Sequence, residues 1–184
     1  SYMAEAANEN DADMVLCNSN KVLPSGKIIR MEAFHKPKTA LGTKSVLLFD
    51  VDSLCAIMVK REMIRNIPQP DLRNGEDMAI IPLLILASQR FNIVQQPIYN
   101  YFCRPGSLSL NATEKVTDSL LQSFSFIYQH NPGGFEKEIE FIGIKNVVYG
   151  VLLNHYKCSS DHRKAKDILR SFESMYPNCY ANEY

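Results

Sequence analysis

The stretch Arg73-Asn74-Gly75-Glu76-Asp77-Met78-Ala79-Ile80-Ile81-Pro82-Leu83-Leu84-Ile85-Leu86 decides how the rest of the chain is read. A glycine and two adjacent carboxylates open an apolar run. Acidic residues in a first helical turn face the backbone N–H groups and the positive end of the helix dipole. The pattern predicts a helix that begins at Asn74 or Gly75 and runs to about Gln89. Pro82 lies past the first turn, so a kink or a displaced start is expected. A carboxylate held at such a helix start can take a proton from an attacking hydroxyl. The same residues also suit an ordinary helix start with no chemistry attached.

Working outward toward the N-terminus, Arg61 to Asn66 reads as one or two helical turns, ended by Ile67-Pro68-Gln69-Pro70. Leu54 to Val59 is apolar on both faces, as a buried strand is. Val46 to Phe49 is a short apolar run, and His35 to Lys44 is loop-like. Lys27 to Met31 reads as a strand returning through the turn Pro24-Ser25-Gly26 from a strand over Asp13 to Asn18, so a β-hairpin is expected. Tyr2 to Asn10 reads as a short helix, broken by Asn8, Asn10 and Asp11. The opening Ser1 to Ala7 already has the character of helix interior, so the chain is expected to be a segment of a longer one.

Toward the C-terminus, Asn92 to Cys103 reads as extended chain interrupted by Pro97. From Thr113 the pattern becomes helical, with three apolar stripes. The first holds Leu120, Phe124, Ile127 and Tyr128. The second holds Phe141, Ile144, Val148, Val151 and Leu152. The third holds Ala165, Ile168, Leu169, Phe172, Met175 and Tyr176. The fold class expected is α/β, with residues 1–111 as one domain and 112–184 as a helical tail.

Composition excludes several functions. Basic and acidic residues number 20 each, and no basic patch stands out, so no nucleic-acid partner is expected. The cysteines, Cys17, Cys55, Cys103, Cys158 and Cys179, are odd in number and widely spaced, which fits free thiols in a reducing compartment. No apolar run approaches the ~20 residues of a membrane span. The histidines, His35, His130, His155 and His162, form no ligand spacing and no hydrolase order. Packing or surface placement is the ordinary reading of His155.

Three further segments join the acidic pair in a recognisable order. Glu9-Asn10-Asp11-Ala12-Asp13-Met14-Val15 steps from helix to strand. Ala56-Ile57-Met58-Val59-Lys60-Arg61-Glu62-Met63-Ile64 steps from strand to short helix. Ile98-Tyr99-Asn100-Tyr101-Phe102-Cys103-Arg104-Pro105-Gly106-Ser107-Leu108-Ser109 carries Tyr-x-Tyr and then Arg-x-Gly-Ser-x-Ser. In this order, with Gly75-Glu76-Asp77, they resemble the second half of family-two inverting glycosyltransferases of the GT-A fold. The resemblance spans about Tyr2 to Ser109; residues 113–184 carry no signature of it.

The resemblance implies a partial GT-A-like mixed sheet with flanking helices, followed by the helical tail. It implies Asp77 as catalytic base, with Glu76 positioning the acceptor or tuning Asp77, and Gly75 beside them in the substrate site. Arg104 and Ser107 match the loop that lies over the donor diphosphate, and an arginine's planar donor fork suits phosphate oxygens. Pro105-Gly106 is equally a surface-turn signal in any protein. Tyr101 and Tyr99 could stack on a sugar face, or simply pack the sheet. The implied partners are a nucleotide-sugar donor and a sugar acceptor, with peripheral membrane association on the cytoplasmic face as a further one.

The family's nucleotide-binding half, with its Asp-x-Asp metal motif, has no counterpart here. A divalent Mg or Mn ion is therefore expected for the parent enzyme and not for this chain, which alone is expected to be inactive. Asp50-Val51-Asp52 imitates the motif but lies too close before Glu76 to follow a nucleotide-binding half. The rival reading is a non-catalytic interaction module built on the half-fold, with the helical tail as its working surface.

Overall fold

The computed structural model describes residues 2–9, 11–31, 43–51, 53–72, 74–106 and 112–184. The chain divides into two compact units. One comprises Ser1–Pro68 and Ile81–Ser107, the other Gln69–Ile80 and Leu108–Tyr184. The class is mixed α/β, with an open mixed sheet and flanking helices.

The first unit is organised around strand β1, Met14–Val22. Helix α1, Tyr2–Glu9, leads into it. Asp11 ends that helix in the left-handed region, at φ 44°. The Ala12 N–H then reaches back to the Ala7 carbonyl at 2.9 Å, which closes the helix end. The expected hairpin forms: β1 pairs antiparallel with β2, Ile28–Met31, with Ser19 opposite Met31 and Val22 opposite Ile28. Along the same side of β1, β3 (Ile57–Val59) pairs antiparallel with Met14–Leu16. On its other side β1 runs parallel to β4, Phe91–Phe102.

Met14 to Cys17 are all buried, on alternating faces. Val15 and Cys17 join Ala6, Ala12 and Val94 in one apolar cluster. From the opposite face, the Ser88 hydroxyl lies 3.8 Å from the Met14 sulfur. Burial on both faces is why this strand reads as a continuous apolar run. Pro97, lacking an N–H, sits at a register shift: Cys17 faces Val94, but Asn18 faces Pro97 and Ser19 faces Tyr99. The Asn18 side-chain amide donates to the Gln95 carbonyl at 3.0 Å across this irregularity.

Two expectations in this unit are corrected. The run Leu54 to Val59 is not a buried strand. Leu54–Ala56 is a single 3-10 turn capped by the Ser53 hydroxyl, which accepts from the Cys55 N–H, and only Ile57–Val59 is strand. Those three residues are half-buried, because they extend the sheet by a short edge segment. Val46 to Phe49 belongs to a helix, α2 (Thr43–Asp50), which also takes in the end of the supposed loop His35 to Lys44. The rest of that loop lies outside the described residues. Helix α3, Arg61–Asn66, forms as expected.

Helix α4, Glu76–Ala87, runs through Pro82 without interruption. Proline costs the Met78 carbonyl its i+4 donor. Burial of Ala79, Ile80, Ile81, Leu83, Leu84, Ile85 and Leu86 offsets that loss. At about 25 cal/mol per Å2 of apolar surface, each large side chain contributes about 2 kcal/mol.

The second unit holds the long helices. Helix α5, Glu114–His130, is capped by Thr113, whose hydroxyl accepts from the Val116 N–H. Helices α6 (Glu136–Gly143) and α7 (Leu152–Cys158) are joined by a π-helical stretch, Ile144–Val151, into one continuous helix. Helix α8, His162–Met175, is capped by Asp161, which accepts from the Arg163 and Lys164 N–H groups. Those two hydrogen bonds hold the Asp161 carboxyl below its ordinary range.

The helices meet through an aromatic cluster. Phe124 and Phe172 have ring centroids 5.8 Å apart, and Phe172 and Tyr176 are 5.3 Å apart. Burial pushes the Tyr176 hydroxyl up to about 12. Gly143 lets α6 approach this cluster. A Cβ there would overlap the Phe172 ring and come within 2.6 Å of Phe124.

The second expected stripe has the wrong phase. Of its members only Val151 is buried; Phe141, Ile144, Val148 and Leu152 are half-buried, and the buried face runs through Ile139, Ile142, Gly143, Val147, Val151 and His155. The π turns absorb extra residues, so contacts recur every four residues rather than at the 3.6 period used to read the stripe. His155 is fully buried. Its Nε2 faces the Asp161 carbonyl at 2.9 Å, and its Nδ1 has no partner among the described residues. The first stripe holds except at Tyr128, which is 48% exposed, and buried Thr117 and Ser123 join it.

Candidate functional site

The start of α4 is built by one glycine and one serine. Gly75 has φ 83°, in the left-handed region that favours glycine. Its carbonyl accepts from the Ala79 N–H at 3.1 Å, which makes Gly75 the N-cap and places Glu76 and Asp77 in the first turn. The Ser123 hydroxyl of α5, fully buried, lies 2.8 Å from the Gly75 carbonyl and 2.9 Å from the Ser119 carbonyl. One hydroxyl proton therefore serves two acceptors. A Cβ on Gly75 would stand 2.5 Å from Ser123 Oγ and 3.3 Å from Leu120 Cδ2. Position 75 thus requires glycine twice over, for its backbone angle and for the space that Ser123 fills.

Glu76 is exposed and Asp77 half-buried. Adjacent helical residues point about 100° apart, so the two carboxylates face different surroundings. Gly75, Glu76, Asp77 and Ser123 all belong to the unit that holds the long helices. The other expected site residues belong to the sheet unit, and Ser107, with Arg73, lies outside the described residues.

In the sheet unit, Tyr99 packs on the cluster around Val15 and Cys17, beside Ala56 and Met58. A hydrogen bond to Cys55 raises its hydroxyl above the ordinary tyrosine range. Tyr99 is therefore a packing residue. Tyr101, two positions on along β4, is 40% exposed and open to contact. Arg104 is exposed and close enough to Tyr99 to act on it electrostatically. It precedes Gly106, whose φ of 77° makes the turn that Pro105-Gly106 signalled.

Two motifs that lie far apart in sequence meet in an ionic cluster. The Asp13 carboxylate accepts from the Gln89 and Arg90 N–H groups, both at 3.0 Å, and from Lys60 Nζ at 3.0 Å. Lys60 also bonds Asp11 at 2.9 Å, and Arg90 reaches Asp11 at 2.6 Å. Burial opposes ionisation of Asp13, but the bonds from Gln89, Lys60 and Arg90 outweigh it and hold the carboxyl far below the usual range. The Lys60 N–H also bonds the Asp13 carbonyl at 3.0 Å. These charges fasten the end of α1, β3 and the start of β4 around the start of β1.

No group of three or more His, Cys, Asp or Glu side chains able to hold a metal converges among the described residues. Asp50 ends α2 and is exposed, and Asp52 lies outside the described residues. The five cysteines are all free. No helix among the described residues is long and apolar enough to cross a membrane.

Ser123 and His155 carry no motif that sequence could have singled out. The one sign of Ser123 is a small polar residue inside an apolar stripe, directly before Phe124.

No protein-family profile matches the chain, and no curated protein is significantly similar to it.

Proposed function

We propose that the chain is the acceptor-side portion of an inverting nucleotide-sugar glycosyltransferase, with Asp77 as its general base. The observation that carries this reading is the start of α4. A left-handed glycine, pinned by a buried hydroxyl, presents two carboxylates in the first turn of an apolar helix. Such a start fixes the carboxylate's position, and its N–H groups and dipole favour the ionised, proton-accepting form. A second support is the Asp13–Lys60 contact, which joins two of the segments on which the family resemblance rests.

In the proposed reaction the Asp77 carboxylate takes the proton of an acceptor hydroxyl. That oxygen bonds to the anomeric carbon of the donor sugar as the bond to the diphosphate breaks, so configuration inverts. The diphosphate leaves with the bonding electron pair. Glu76, exposed beside Asp77, orients the acceptor. Within the sheet unit taken by itself, the family resemblance assigns Arg104 and Ser107 to the diphosphate, and Tyr101 offers an exposed ring to a sugar. The donor's nucleotide and its divalent ion belong to a nucleotide-binding half working with this segment. The proposed setting is glycan assembly on the cytoplasmic face of a membrane.

The test is transfer by the enzyme that carries this segment, measured with labelled nucleotide sugars. Asp77→Asn is expected to lower transfer by about 100-fold or more, with the melting temperature nearly unchanged. Near-normal transfer by that variant would remove Asp77 from the role and favour the non-catalytic interaction module.

A further inference from the structure

The helical unit contains an open groove of about 270 Å3, between the segment Gln69–Leu72 and helix α5. Its lining includes Gln69, Asp71, Gln122 and Gln129, with Pro70 and Phe126 as apolar surfaces. We infer that this groove is a binding subsite for a neutral sugar ring.

The chemistry of the lining argues for that ligand class. A glutamine amide presents a donor and an acceptor side by side. Neighbouring sugar hydroxyls, each both donor and acceptor, match it in pairs. The Asp71 carboxylate adds two acceptor oxygens. Among the described lining residues there is no lysine, arginine or histidine, and the one charged group, Asp71, disfavours a phosphate or a carboxylate. Pro70 and Phe126 suit the C–H face of a pyranose, which rests on apolar and aromatic surfaces.

The wall is held in place. Gln122, Phe126 and Gln129 recur at i, i+4 and i+7, along one face of α5. The Phe126 ring is backed by the His130 imidazole, with centroids 4.3 Å apart, and His130 Nδ1 lies 2.9 Å from the Phe126 carbonyl. The opposite wall, Gln69–Leu72, leads within a few residues into Gly75. If the proposed reading is right, the groove holds a ring of the acceptor glycan; the assignment of the ring to the acceptor rests on that reading, while sugar binding itself does not.

The experiment is an NMR titration of the 15N-labelled chain with four neutral disaccharides: chitobiose, cellobiose, lactose and maltose. At least one is expected to give saturable shifts at the side-chain amides of Gln122 and Gln129, with Kd on the order of 1–10 mM, as suits a single-ring subsite. Both glutamines are exposed, so in the double variant Gln122→Ala, Gln129→Ala the rest of the free spectrum should be unchanged, and the saturable shifts that the sugar also gives at the backbone amides of Leu72, Ser125 and Phe126 should be lost. No saturable shift with any of the four sugars would overturn the subsite, as would an undiminished response in the double variant. The outcome is separable from the base assignment. Active Asp77→Asn enzyme would sink the base and leave the groove, whereas a silent titration would sink the groove and leave Asp77.

Discussion

The two units hold their most constrained backbone by different means. In the sheet unit the junction at the start of β1 is fastened by charge: Asp13 and Asp11 against Lys60 and Arg90, with two backbone N–H groups. In the helical unit the close approaches are fastened by shape. Gly143 lies against Phe172 and Phe124, and Gly75 lies against Ser123 and Leu120. A charged fastening tolerates small shifts of side chains but depends on pH. A steric one ignores pH but tolerates no added atom. The candidate base stands on the steric kind, so its placement should persist under acid conditions that loosen the sheet unit.

The largest expected effect tests the steric half. Gly143→Ala pushes a methyl into two buried aromatic rings, at the upper end of an overpacking cost of about 3 kcal/mol. Alanine's better helix propensity returns about 1 kcal/mol. A net loss of about 2 kcal/mol is expected in denaturant unfolding followed by near-ultraviolet circular dichroism of the aromatic cluster. The loss should be the same at pH 7 and pH 4. An unchanged midpoint would mean that the rings yield freely and that the contrast between the units fails.

The next effect tests the charged half. Asp13→Asn keeps an amide oxygen where Oδ2 accepts both backbone N–H groups, but loses the charge on those two bonds and sets an NH2 against Lys60, whose charge-assisted bond to Oδ1 is lost. Asp13 is only 16% exposed, so screening is modest. A cost of about 1.5 kcal/mol is expected at pH 7. The sign with pH follows from the depressed carboxyl. Its ordinary value is 3.8 and its folded value lies well below that. The unfolded chain therefore binds the proton first as pH falls. The stabilisation is complete above about pH 5 and is lost progressively below 3.8, as pH falls toward the folded value. The wild type and Asp13→Asn should converge in stability as pH drops through that window. A gap that stays constant would assign the fastening to packing instead.

Sequence made the local elements legible where a single physical signal ruled them. The turn at Pro24-Ser25-Gly26 announced the hairpin, and the acidic pair after Gly75 announced the start of α4. It misplaced elements where tertiary contacts decided. Leu54 to Val59 has the composition of a buried strand, but Ser53 turns its first half into a 3-10 turn. Helix α2 was hidden by a run too short to show a period. The π stretch displaced the second stripe, because a pattern read at 3.6 residues cannot register turns of i→i+5. For the candidate site, the carboxylates were visible and their support was not. Nothing in the residues around Ser123 says that its hydroxyl faces a carbonyl 48 positions earlier.

The smallest effect probes that support directly. Ser123→Ala removes a hydroxyl shared between the Gly75 and Ser119 carbonyls, and a cost of about 1 kcal/mol is expected. The Gly75 carbonyl keeps its bond from Ala79, so α4 should still form. What should change is the tolerance of position 75. In the wild type, Gly75→Ala suffers both the left-handed backbone angle and the collision with Ser123 Oγ. With Ser123→Ala already in place, most of the collision is gone and the backbone penalty of about 1–2 kcal/mol remains. A double-mutant cycle is therefore expected to give a favourable coupling of about 1 kcal/mol. Amide hydrogen exchange at Met78 and Ala79 reports where the effect falls. It should quicken in Ser123→Ala and return toward the wild-type rate in Ser123→Thr, which restores the hydroxyl. Zero coupling, together with unchanged exchange, would mean that α5 does not hold the start of α4, and that the carboxylates there are fixed by α4 alone.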